Sequence, residues 1–106
     1  MGDSSFTTRS VKAARKPHVC EQCGKGIAIG DPYRRVSGVW EGDFYTQALH
    51  GECLDAGNLY ALEHGLAADE WPWFAQMNLE REDRTWLLEH FPIVAERLGI
   101  KGAHDA

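Results

Sequence analysis

Two residue pairs of equal spacing constrain this chain more than anything else in it: Cys20-x2-Cys23 and, beyond residues 24–49, His50-x2-Cys53. Two thiols separated by two residues fit one side of a tight turn, and side chains at i and i+3 share one face of a helix, so the pairs can converge on the corners of a tetrahedron. The flanks suit both roles. Gly24 and Gly26 follow Cys23 and permit the left-handed backbone that a reversal needs. His50 and Cys53 stand where a helix is expected to begin, and the positive potential of a first helical turn favours a thiolate. Three cysteines are an odd number, so disulfides would leave one thiol over, whereas a Cys3His site uses all three. The expectation is one structural Zn2+ held by Cys20, Cys23, His50 and Cys53.

At 106 residues the chain has room for one core. Residues 1–16 are polar and lack an apolar period, which predicts a flexible basic arm. Residues 17–66 read as the metal-binding unit. Within it, residues 33–39 and 44–49 are rich in aromatic and β-branched side chains and predict a β-hairpin, with Trp40-Glu41-Gly42-Asp43 as its loop. Residues 50–64 predict a helix with Leu54, Leu59, Leu62 and Leu66 on its buried face, closed by Gly65. Gly57 inside that helix costs about 1 kcal/mol against Ala. Residues 67–106 predict a helical extension packed on this unit. Asp69 caps a short turn over residues 71–74, Asn78 opens a helix over 79–90, and Pro92 starts a last helix stopped by Gly99. The fold class expected is α+β.

The order of metal turn, hairpin and helix, with ligand pairs at both ends, resembles the treble-clef zinc finger. Its Cys-Cys-His-Cys ligand set is similar to those of LIM domains and of poly(ADP-ribose) polymerase-type fingers, and the wide gap looks more like the latter. The resemblance covers residues 18–64 and rests on the four ligands and Gly24. LIM domains bind proteins and polymerase-type fingers bind DNA breaks, so the resemblance implies a binding module. The chain departs from both by having no second LIM metal site and by its acidic second half. It is also similar to small acidic stand-alone zinc-finger proteins of bacteria and bacteriophages, and with no apolar secretory stretch at residues 1–6 the expected location is the cytoplasm, or a host's cytoplasm.

Catalysis is not expected. Four protein ligands leave no coordination position for a water to be activated. His50-Gly51-Glu52 does spell the His-x-Glu of zinc deaminases, but there a Pro-Cys-x-x-Cys lies downstream, whereas the cysteine pair here lies upstream and Cys53 would have no use. His64, His90 and His104 are scattered and read as surface or helix-end residues.

Charge bears on the partner. Residues 1–36 carry seven Lys and Arg against three acids, a net +4, and the remainder carries four against thirteen, a net −9. No apolar run reaches the roughly 20 residues of a membrane span, and residues 1–6 lack the apolar stretch of a secretory signal. The aromatics Trp71, Trp73, Phe74, Trp86 and Phe91 within an acidic segment suit either a core or a protein contact, and Trp40 at a hairpin tip suits a contact. A protein partner is therefore the first expectation. Nucleic acid is the alternative, with Arg34 and Arg35 joining Lys25 and the arm's Arg9, Lys12, Arg15 and Lys16 on one basic face, and Tyr33 or Trp40 stacking on a base.

Overall fold

The spine of the fold is a hairpin that runs straight into a helix, and the computed structural model describes it within residues 5–40, 42–67 and 70–100. Strands β4 (Tyr33–Trp40) and β5 (Asp43–Leu49) pair antiparallel from Arg34↔Leu49 to Trp40↔Asp43. Gly42 turns the chain between them with φ 89°, a left-handed value that glycine adopts without strain. Two shorter strands, β2 (His18–Val19) and β3 (Gly26–Ile27), form a small ladder that brackets Cys20 and Cys23. The turn between them is tied to the main sheet where the Glu21 N–H donates to the Ala48 carbonyl at 3.0 Å.

Residues 5–11 correct the expectation of a flexible arm. They form strand β1 (Ser5–Val11), antiparallel to β4 from Ser5↔Val39 to Val11↔Tyr33, and the sheet order is β1-β4-β5. Thr7, Thr8, Arg9 and Ser10 are all exposed, so along these residues the backbone ladder holds the edge strand, and Val11 packs against the core at its end. A strand of that kind leaves no hydropathy pattern to read. The link to β2 is anchored by buried Ala14, whose N–H donates to the Asp31 carbonyl and whose own carbonyl accepts from Gly30, both at 2.8 Å.

Helix α1 (Gly51–His64) follows β5 with His50 as its N-cap. Gly65, at φ 64°, ends it as expected: its N–H donates to the Leu62 carbonyl and that of Leu66 to Ala61, which satisfies carbonyls the helix leaves free. The buried face, however, is Cys53, Leu54, Ala56, Gly57 and Tyr60, and Leu62 is 77% exposed. The inward direction of Cys53 sets which side faces in, and 56, 57 and 60 follow from the helical period.

The extension comprises a 3₁₀ turn (Phe74–Gln76), α2 (Arg81–His90) and α3 (Pro92–Arg97). Asp69 lies outside the described residues. Asn78 does not open α2; Glu80 is the N-cap, and its N–H donates to the Asp83 carboxylate at 3.0 Å, one arm of a capping box. Pro92 does start α3, and Gly99 ends it at φ 81°. Phe74, Leu87, Val94 and Ala95 are buried and continue the core that begins at Ile27 and Leu49. Gly57 is the seam. A Cβ there would collide with Cζ2 and Cη2 of Trp71, so the residue that helix propensity disfavours is what lets the indole lie against α1. The Trp71 indole N–H then donates to the Asn58 Oδ1 at 2.9 Å. Among the described residues no helix is long and apolar enough to cross a membrane.

Candidate metal centre

Cys20, Cys23, His50 and Cys53 meet as expected: one ligand atom from each falls within 4.8 Å of all the others, and all four residues are buried. The two pairs arrive by different local chemistry. Gly24, at φ 80°, reverses the chain after Cys23; its N–H donates to the Cys20 carbonyl and the Cys20 N–H to that of Lys25, both at 2.9 Å, so the first two thiols point the same way. Leu49 ends β5, and His50 and Cys53, a helical turn apart, present their ligand atoms to the same point.

Separations within the cluster fit an ion. His50 Nδ1 lies 3.4 Å from the Cys23 Sγ and 3.8 Å from the Cys53 Sγ. A tetrahedral zinc with ordinary Zn–S and Zn–N bonds would place sulfur and nitrogen about 3.6 Å apart. Each sulfur also has an outer donor: the His50 N–H to Cys20 at 3.4 Å, the Lys25 N–H to Cys23 at 3.5 Å, and Arg97 Nη1 to Cys53 at 3.7 Å. Such donors orient ligands and spread thiolate charge.

The electrostatics call for a cation. A hydrogen bond from the Cys53 thiol holds Cys20 down to about 4, whereas donating that bond, together with burial, pushes Cys53 far up. Burial raises Cys23. Three buried thiols at this distance therefore do not all ionise by themselves, and a divalent ion removes the obstacle. The set could hold a metal ion, and three thiolates with one imidazole suit Zn2+.

Of the remaining sequence-derived candidates, Tyr33 and Arg35 come together while Arg34 lies on the other side of the sheet. Arg34 and Arg35 are neighbours in β4 and project to opposite sides of the sheet. Arg34 Nη1 approaches the Asp55 carboxylate of α1 at 3.9 Å, and Arg35 Nη2 donates to the Tyr33 hydroxyl at 3.1 Å. Tyr33 is 4% exposed and packs its ring against His18 with centroids 4.8 Å apart, so it has no free face on which to stack a base. The backbone of Trp40 pairs with Asp43 at the hairpin end; its side chain lies outside the described part. Phe74, at 1% exposure, belongs to the core.

Two residues matter to the centre that sequence reading missed. Gln22, fully buried inside the Cys-x2-Cys turn, accepts from the Phe74 N–H through its Oε1 at 2.8 Å and donates through Nε2 to the Cys53 carbonyl at 3.5 Å. It joins turn, helix and extension. Arg97 on α3 reaches the Cys53 sulfur while bonding the Glu52 carboxylate at 2.8 Å, which holds Glu52 below the usual carboxylate range. No local signal announces either. No family model, curated protein or solved structure matches this chain.

Proposed function

We propose that the chain is a treble-clef zinc finger with a helical extension, and that it works by binding a partner, not by catalysis. The observation that carries this is the cluster: four buried residues each offer a ligand atom within 4.8 Å of the others, and a Zn2+ bound by all four would have no position left for a reactive water. The order of turn, hairpin and helix around that cluster supports the treble-clef reading. Glu52, which a deaminase would need at the metal, instead faces outward to Arg97, with its side chain 51% exposed.

A protein partner is supported by the extension. Leu66, Trp71, Pro72, Trp73 and Met77 line an open groove of about 490 Å³ with Glu70 at its edge, which suits an apolar segment carrying basic residues. The test of the central reading is metal content: purified protein is expected to carry one zinc per chain, and Cys53→Ser to lose it together with the fold. Protein that is folded yet free of stoichiometric zinc overturns the reading.

A further inference from the structure

The strand register brings together two cations that the sequence keeps far apart. Arg9 on β1 stands directly opposite Arg35 on β4. Like charges at directly opposed positions destabilise a sheet, and among the described residues neither arginine lies within salt-bridge distance of a carboxylate; the ion pairs found are Arg34–Asp55 and Arg97–Glu52. Among the described residues, nothing offsets that repulsion.

The rest of that face has the same character. Thr7 is opposite Ser37, and Ser37 opposite Thr46, so hydroxyls flank the arginines; Phe44, opposite Val39, is 74% exposed at the far end. No Asp or Glu occupies any of the alternate positions that β1, β4 and β5 turn to this side, in a chain of net charge −5. At the foot of the face Lys16 lines the same hollow as Arg35, with Glu21 on its border.

We propose that this sheet face binds single-stranded nucleic acid, with phosphates bridging Arg9 and Arg35 and a base stacked on Phe44. The proposal goes beyond the metal reading and rests on it only in that zinc holds the sheet in place. A single strand is favoured over a duplex because an exposed ring can stack only on a base that is itself unstacked. An acidic peptide would satisfy the arginines but gives Phe44 no comparable partner.

Fluorescence anisotropy of labelled oligothymidylate and oligouridylate of about 12 nucleotides, titrated with zinc-loaded full chain, tests this. With Arg9, Arg35 and Lys16 each neutralising a phosphate, affinity is expected to fall about 20-fold between 50 and 200 mM salt. Phe44→Ala is expected to weaken binding about 5- to 150-fold and leave the salt slope unchanged. Arg9→Glu places opposite charges across the ladder, so it should abolish binding while the urea midpoint holds or rises, which separates lost contact from lost fold. The tighter of the two oligonucleotides identifies DNA or RNA as the source. Zinc-loaded protein that ignores both overturns the proposal, as does polyglutamate binding equally well with Phe44→Ala unchanged. Zinc content measured on the same sample shows whether the metal reading fails instead.

Discussion

Around the Cys20–Cys23 turn the chain is fixed by four side chains meeting at one point, with the sheet ladder built outward from them. Among the described residues of the α2–α3 extension there is no such point, and Phe74, Leu87, Val94 and Ala95 must fit one another by shape. The first arrangement concentrates its folding information in a few residues whose identity is dictated by coordination chemistry. The second distributes it over contacts whose partners can be read only in three dimensions. The two regions are nonetheless one core, joined through Gln22, the Gly57–Trp71 seam, Tyr60 and Arg97. That junction teaches that an extension with little local specification of its own can borrow rigidity from a neighbour organised around one cluster of side chains.

The strongest attack on this picture is to take the metal away. Structural zinc contributes on the order of 10 to 16 kcal/mol in finger peptides, comparable with the stability of a whole domain, so chelation should abolish sheet and helix signals together in far-UV circular dichroism. Helicity of α2 and α3 that survives chelation would show the two regions to be independent. Gly57→Ala strikes the seam. The collision with Trp71 should lower stability by about 1 to 3 kcal/mol in urea unfolding, in spite of Ala's better helix propensity, with zinc content unaltered. Arg97→Met removes the outer donor to Cys53, and zinc affinity measured against a competing chelator should fall about 10- to 100-fold. The gentlest probe is Tyr60→Phe, which deletes the 2.9 Å bond to the Asp83 carboxylate and should lower stability by about 1 kcal/mol at neutral pH. Burial, and then that carboxylate, push Tyr60 from its ordinary value of 10.0 up to about 12. A raised value means that the folded state holds the proton more tightly. The contribution is therefore full below pH 10 and is lost as pH rises toward 12, a decline that the Phe variant should lack.

What the sequence made legible divides along the same line. The four ligands, the hairpin, the end of α1 at Gly65 and the start of α3 at Pro92 were readable because ligand spacing, glycine and proline each act locally. Strand β1 was hidden because Thr7, Thr8, Arg9 and Ser10 all meet water and leave no alternating apolar pattern between Phe6 and Val11. Of the leucines expected on the inward face of α1, Leu54 is buried but Leu62 lies in solvent, because the direction of Cys53 and not leucine content sets that face. Gly57 was visible but looked like a weakness; its purpose depends on Trp71, a residue from another element. Of the cations expected on one basic face, Arg9 and Arg35 stand opposite each other in the ladder, while Arg34 turns to the other side of the sheet, because only pairing register sets which residues share a face.

The bond from Arg97 to the Cys53 sulfur spans 44 residues. During synthesis all four cluster residues leave the ribosome well before this guanidinium does, so if the proposed zinc binds there, a nascent chain captures its ion early while one flank of the site still lies open. Exchange of the ion with cellular thiols should then be fastest on the incomplete polypeptide and slow abruptly once α3 docks, making the last helix a latch on when the metal becomes permanent.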